Sequence, residues 1–235
     1  MQIYILSILP ELFAGFLDYG VIAKSFKKNI CHCEIIDIRK FGIGKNNFTK
    51  VDDSPYGGGA GMVMRPDVLG AAIDHVINLS KKKCDEMPEI FYMSPKGSQF
   101  TQKLAQEFSK LKNIIIICGR FEGIDERILR EYKITEISVG DYILTGGEIA
   151  AMVMSDAIIR LIPNVLGSED SLQEESFNID NRSLLEYPLY TKPKIWRDKE
   201  VPDILLSGDH QAIKDWRLQQ ASDITKNRRK DLLDD

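Results

Sequence analysis

The residues best placed to serve a chemical step lie in glycine-bearing polar segments that follow apolar runs. Cys118-Gly119-Arg120-Phe121-Glu122-Gly123-Ile124-Asp125-Glu126-Arg127 leaves the end of Ile114-Ile115-Ile116-Ile117, a run apolar on both faces, as a central parallel strand must be. Ser138-Val139-Gly140-Asp141-Tyr142-Ile143-Leu144-Thr145-Gly146-Gly147-Glu148 also follows a strand-like run and opens a helix-like one. Tyr92-Met93-Ser94-Pro95-Lys96-Gly97 ends a third run in the same way. Ligands of open α/β sheets bind outside the carboxyl ends of the strands, so three such loops predict one composite pocket walled largely by backbone. Gly57-Gly58-Gly59-Ala60-Gly61 is a further cluster. It has neither the Gly-Lys-Ser/Thr ending of a P-loop nor the phase of a dinucleotide fingerprint, and suits either close backbone approach to a ligand or an ordinary surface loop.

Metal and thiol chemistry are poorly supplied. Of the four cysteines, only Cys31 and Cys33 lie close, as Cys-x-Cys around His32; this is not the Cys-x-x-Cys spacing of zinc or redox sites, and no second cluster supplies more ligands. His32, His75 and His210 are the only histidines. Free thiols in a reducing compartment and no protein metal centre are expected. A Mg2+ requirement is compatible with the sequence and has no signature in it.

The elements that must position these loops alternate. Ile3 to Ile8, Glu34 to Ile38, Ile90 to Met93, Asn113 to Cys118 and Ile134 to Val139 read as strands. Pro10 opens a helical segment carrying Leu12, Phe13, Phe16 and Leu17, and Pro66 opens one with Val68, Leu69, Ala72, Ile73, Val76 and Ile77 on one face. Thr101 caps a third, and a longer helix runs from Glu148 to Ile162 before Pro163. Fold rules turn this alternation into an α/β domain with a mostly parallel, doubly wound sheet flanked by helices. After Pro163 the texture becomes polar. We divide the chain into a sheet domain over 1–165, a flexible linker over 166–182 and a small helical domain over 183–235, with helices from Asp209 and from Ser222 and no sheet.

Composition narrows the class. The 235 residues (26.7 kDa) are 43% hydrophobic and 28% charged, as in an ordinary globular protein. Thirty-one Lys and Arg against 35 Asp and Glu exclude a broadly cationic nucleic-acid coat but allow a local basic site. No apolar run approaches the roughly 20 residues of a membrane span, and Gln2 to Leu9 is apolar at once, without the basic region that starts a signal peptide. A cytoplasmic protein without membrane contact is expected.

Pro55-Tyr56-Gly57-Gly58-Gly59-Ala60-Gly61-Met62 and the 118–127 and 138–148 segments closely resemble bacterial tRNA (guanine-N1)-methyltransferases. Glu175-Ser176-Phe177, Leu184-Leu185-Glu186-Tyr187-Pro188, Tyr190-Thr191-Lys192-Pro193, Leu205-Leu206-Ser207-Gly208-Asp209-His210 and Trp216-Arg217 extend the resemblance over the whole chain. This family belongs to the SPOUT class, so the resemblance implies a deep trefoil knot in the sheet domain, a homodimer with shared active sites, and S-adenosylmethionine as cofactor. It places the cofactor against Tyr92, Met93, Ser94, Pro95, Gly119, Glu122, Gly123, Ser138, Val139, Gly140, Asp141, Tyr142, Ile143 and Leu144, with Gly146 and Gly147 completing the knot loop. It places the tRNA substrate near Tyr56, Gly57, Gly58, Gly59, Glu186, Ser207, His210 and Arg217.

The implied acceptor, N1 of the guanosine 3′ of a tRNA anticodon, carries a proton at neutral pH. A base must remove it, and a cation must hold charge at O6. The resemblance makes Glu175 the base and Arg160 the O6 stabiliser, with Asp180 a second candidate base. Glu175 stands where the family usually carries Asp; the 178–183 segment is longer than usual, and Leu189 replaces a frequent His. Tyr56, Phe121 and Phe177 are available to stack a splayed base, and the C-terminal segment supplies lysines and arginines for phosphates. Two rival readings stay open: another SPOUT enzyme acting on a ribose 2′-hydroxyl or an rRNA base, and a noncatalytic adenine-nucleotide binder.

Overall fold

The computed structural model describes residues 1–44, 49–167, 175–179 and 183–233. The chain forms two compact units, Met1–Leu166 and Gly167–Asp235. In the first, the chain order is β1 (Gln2–Ser7), α1 (Ala14–Asp18), α2 (Gly20–Lys27), β2 (His32–Asp37), β3 (Asp52–Asp53), β4 (Val63–Met64), α3 (Pro66–Lys81), β5 (Glu89–Gln99), α4 (Gln102–Phe108), β6 (Asn113–Cys118), α5 (Glu126–Glu131), β7 (Thr135–Ser138) and α6 (Glu148–Ile159). Five strands make one parallel sheet in the order β2-β1-β6-β5-β7. β3 and β4 pair separately and antiparallel.

Strand β6 sits at the centre with all six residues buried. Its side chains alternate between two cores. Ile114 and Ile116 join Ile5, Phe91 and Met93 against Ala151, Met154 and Ile158 of α6. Ile115 and Ile117 join Tyr4, Leu6 and Tyr92 against Val68, Leu69, Ile73 and Val76 of α3. A strand covered by helices on both faces must be apolar at every position, which is why its sequence reads as an unbroken run.

Helix starts follow local chemistry. Pro66 occupies the first turn of α3, Thr101 accepts from the Leu104 amide at 3.3 Å, and Asp125 accepts from the Arg127 amide at 2.9 Å. Three expectations need correction here. The segment Ser94 to Gly97 is no turn: β5 runs through it as a bulge and resumes pairing with β7 at Ser98↔Ile137. Pro95 has no N–H to give the ladder, and a Cβ at Gly97 would strike the Glu136–Ile137 backbone, so the strand shifts register and continues. The helix expected to reach Ile162 ends at Ile159, with Arg160 as its C-cap. Helices α2 and α5 were not foreseen.

In the second unit, α7 (His210–Arg228) is one helix where two were expected. Ser222 starts nothing, because Ala221 and Thr225 on either side of it are buried and the Thr225 hydroxyl donates to the Ala221 carbonyl at 2.7 Å. Its core is Ile179, Leu184, Tyr187 and Ala221. A two-stranded antiparallel hairpin, β8 (Ile195–Trp196) and β9 (Lys199–Glu200), corrects the expectation of no sheet. Most of the segment read as a linker, Asp180 included, lies outside the described residues.

Candidate active site

A cavity of about 320 Å³ opens at the bulge of β5 and the carboxyl ends of β6 and β7. Tyr92, Met93, Ser94 and Pro95 line it from β5; Gly119, Glu122 and Gly123 from the segment after β6; and Ser138, Val139, Gly140, Tyr142, Ile143, Leu144, Gly146 and Gly147 from the end of β7 and beyond. All but one of the residues expected at the cofactor are thus gathered around a single space, although they come from three separate stretches of chain. Asp141 is the exception and is not on this wall. Arg120, Phe121, Ile137, Thr145 and Ala150 complete the lining. They were missed, and Arg120, Phe121 and Thr145 had a signal: each sits inside a motif already singled out.

Backbone sets the shape of the cavity. The Gly147 amide donates to the Gly119 carbonyl at 2.9 Å, joining the two loops directly. A Cβ at Gly147 would lie 2.8 Å from the Cys118 Cα and 2.9 Å from the Gly119 nitrogen, so only glycine allows this approach. Gly140 has φ +143°, a conformation that side-chain-bearing residues avoid, and its amide donates to the Ser138 hydroxyl at 3.2 Å. The Tyr142 hydroxyl donates to the Val139 carbonyl at 3.0 Å and closes the turn. Burial, reinforced by Glu136, pushes the Tyr92 phenol up to about 12, so it stands in the wall as a neutral hydroxyl.

Beneath the loops lies an ion pair between a buried acid and a partly exposed arginine. Glu148 is 1% exposed; it accepts from the Ser7 hydroxyl at 2.8 Å and from Arg120 Nε at 3.1 Å. Arg120 Nη1 also donates to the Thr145 carbonyl at 3.2 Å. One guanidinium therefore straps the loop after β6 to the loop after β7 and to the first turn of α6. Burial, with Glu148 nearby, pushes the Cys118 thiol well above its ordinary value, which removes it as a nucleophile.

The glycine cluster is anchored to this cavity from outside. The Met64 amide donates to the Gly123 carbonyl and the Glu122 amide to the Met62 carbonyl, both at 2.9 Å. Beyond these bonds Gly57, Gly58 and Gly59 are exposed with positive φ, and Tyr56 is 99% exposed. A second, open cavity of about 870 Å³ lies between Tyr56, Arg65 and Arg127. Its arginines already pair with acids, Arg65 with Asp53 and Asp67 at 3.1 and 2.7 Å and Arg127 with Asp125 at 2.7 Å, so it is not a simple anion site. Arg160 borders a third hollow with Phe16, Tyr19, Val21 and Asp156.

The remaining expected residues belong to the second unit. Glu175 is half-buried and its carbonyl accepts from the Asn178 amide at 3.1 Å. The Glu186 amide donates to the Ser176 hydroxyl at 2.9 Å, so the Glu-Ser-Phe and Leu-Leu-Glu motifs pair locally. The Ser207 hydroxyl accepts from the Asp209 amide ahead of His210, the first residue of α7, and the Arg217 guanidinium lies 4.7 Å over the Tyr187 ring. No group of three or more His, Cys, Asp and Glu among the described residues could hold a metal ion.

Comparison with known proteins is consistent along the whole chain. The family model described as "tRNA (Guanine-1)-methyltransferase TrmD" matches residues 1–235. A protein of Wolbachia pipientis wMel named "tRNA (guanine-N(1)-)-methyltransferase" is 50% identical over 232 residues, covering 99% of this chain and 95% of its own. Proteins of the same name from Rickettsia africae (strain ESF-5) and Rickettsia prowazekii (strain Madrid E) are each 48% identical, over 98% and 100% of this chain and 97% and 98% of theirs.

Proposed function

This chain belongs to the tRNA (guanine-1)-methyltransferase family, and from that membership we propose that it transfers a methyl group from S-adenosylmethionine to N1 of guanosine 37, 3′ of the anticodon in tRNA. The observation that carries the reading to specific residues is the backbone-walled cavity at the β5 bulge and the ends of β6 and β7. Its dimensions fall in the range of small-molecule sites. Ile137, Val139, Ile143, Leu144 and Ala150 offer apolar surface for an adenine, and the loops between them offer amides and carbonyls for its edge. The close approach of Gly147 to Cys118 and Gly119 leaves space that a Cβ would fill. The cradle fits the cofactor.

When bound, S-adenosylmethionine supplies a methyl group already activated by a positive sulfur. The protein's task is then the acceptor. Glu175 takes the N1 proton, and Arg160 holds the negative charge that develops on O6. Tyr56 and the exposed backbone of Gly57 to Gly59 receive the guanosine; Glu186, Ser207, His210 and Arg217 hold the tRNA around it. The Gly147–Gly119 bond between the loops after β7 and β6 supports reading the cavity as the pocket of a trefoil knot. A homodimer with shared sites is supported by an exposed apolar surface: Ile149 and Val153 stand one turn apart on α6, and Leu12, Tyr19 and Val21 are exposed on the N-terminal segment. A cytoplasmic location follows from the family's tRNA substrate; no helix among the described residues is long and apolar enough to cross a membrane.

Incubation with unmodified tRNA and S-adenosylmethionine, followed by nucleoside analysis, tests the reading. We expect 1-methylguanosine at position 37. A ribose 2′-O-methyl product, or no product from a folded and cofactor-bound protein, would overturn it.

A further inference from the structure

We propose that the hairpin of β8 and β9 is a base-stacking platform, on which Trp196 receives an unpaired base of the RNA substrate. The inference rests on the reading that the substrate is tRNA. Every residue from Thr191 to Glu200 is exposed, so the hairpin buries nothing of its own and still presents Trp196 57% exposed and Ile195 53% exposed. Two-stranded hairpins are marginal in water, and apolar side chains set out on one need a partner to account for them.

The details favour a nucleic acid over a second protein. The two-residue turn places Arg197 and Asp198 at φ +49° and +60°, left-handed values that suit a tight hairpin and that Asp tolerates better than Arg. It folds the Arg197 guanidinium back over one face of the indole, 4.8 Å from the ring centroid. The ring is thereby held in place by a cation on one face and left open to solvent over more than half its area. Lys192, Lys194 and Lys199 flank it, and Trp196 sits directly across from Lys199 in the ladder. An aromatic ring backed by arginine and bordered by lysines matches a base with its phosphates. Duplex bases are already stacked, so the partner is a single-stranded segment, and in tRNA the anticodon loop supplies one. The protein's other tryptophan, Trp216, is occupied differently, packed against Tyr190 at 6.4 Å between ring centroids.

Because the chain has only two tryptophans, the contact can be read directly. Unmodified tRNA titrated into the full-length protein should quench tryptophan emission in the wild type and in Trp216→Phe, and should lose that quench in Trp196→Phe. Trp196→Ala should raise the KM for tRNA about tenfold, the order expected for one stacked base, with Trp196→Phe recovering most of it and S-adenosylmethionine affinity unchanged in both. An unquenched Trp196 at saturating tRNA, or an unchanged KM in Trp196→Ala, overturns the proposal, as does a Trp196 emission that follows protein concentration instead of tRNA. Quenching by tRNA in a protein that makes no 1-methylguanosine would keep the platform and remove the enzymatic reading, so the two fail separately.

Discussion

At the scale of single residues, the reaction asks for one group that can accept a proton. Glu175→Gln keeps the shape and polarity of the side chain and cannot accept the N1 proton. Its kcat should fall by roughly 10²–10⁴, the usual worth of a positioned general base, while S-adenosylmethionine affinity measured by calorimetry stays near that of the wild type. Glu175→Asp, which restores the residue the family usually carries, should retain partial activity because its carboxylate is one methylene short. Near-normal turnover by Glu175→Gln at saturating tRNA and cofactor would remove Glu175 from the mechanism. Cys118 gives the contrasting case of a residue inside a functional motif without a chemical part. Its thiol is buried between the sheet and α6 and held protonated, so it serves as a small apolar side chain.

At the scale of elements, the site depends on two loops staying together. Arg120 and Glu148 do this with charge, and Gly119 and Gly147 do it with backbone. Removing the buried Glu148 acceptor leaves Ser7 and the part-buried Arg120 without their partner. Glu148→Ala should therefore destabilise the protein by about 1–3 kcal/mol, and Glu148→Gln by less, because an amide oxygen still accepts from Ser7 and Arg120. Both should weaken S-adenosylmethionine binding more than they slow the methyl transfer at saturation. Gly147→Ala presses a methyl onto the Cys118 and Gly119 backbone, which cannot turn aside as a side chain would. A loss of about 1–3 kcal/mol in thermal unfolding and a loss of cofactor binding are expected. Unchanged cofactor affinity in Gly147→Ala would show that the loops need not meet to form the pocket.

At the scale of the whole molecule, the tests concern what binds and in what assembly. S-adenosylmethionine at 100 times its dissociation constant should stabilise the protein by about 2.7 kcal/mol, whereas ATP and ADP should do little. Equal shifts with all three would favour the adenine-nucleotide reading. Although the chain is acidic overall, tRNA affinity should fall steeply with salt, because Lys192, Lys194, Arg197, Lys214 and Arg217 can reach phosphates locally; a flat plot of log K against log salt would exclude them as the main contribution. If active sites are shared across a dimer, mixing a cofactor-pocket variant with Glu175→Ala should restore activity in verified heterodimers, and no recovery would make each subunit self-sufficient.

The five strands of the main sheet, two of the loops that carry the site and the family itself were legible in the residues. Ile114 to Ile117 announces a central parallel strand because no solvated face could tolerate it, and the glycine segments after this run and after β7 mark the pocket because ligands gather at strand ends. Capping chemistry likewise set the starts of α3, α4 and α7. Other features were decided only in three dimensions. Ser7 and Glu148 stand 141 positions apart, and their hydrogen bond exists because β1 lies beside β6 in the sheet, a neighbour relation that no local pattern encodes. The bulge in β5 arises from its pairing with β7, and the unbroken course of α7 through Ser222 arises from burial of Ala221 and Thr225. The Trp196 hairpin gave no alternating apolar signal, since its ten-residue surroundings bury nothing. Periodicity and propensity report what each residue prefers among its near neighbours in the chain; which distant segments meet is set by packing, and there the tertiary structure alone decides.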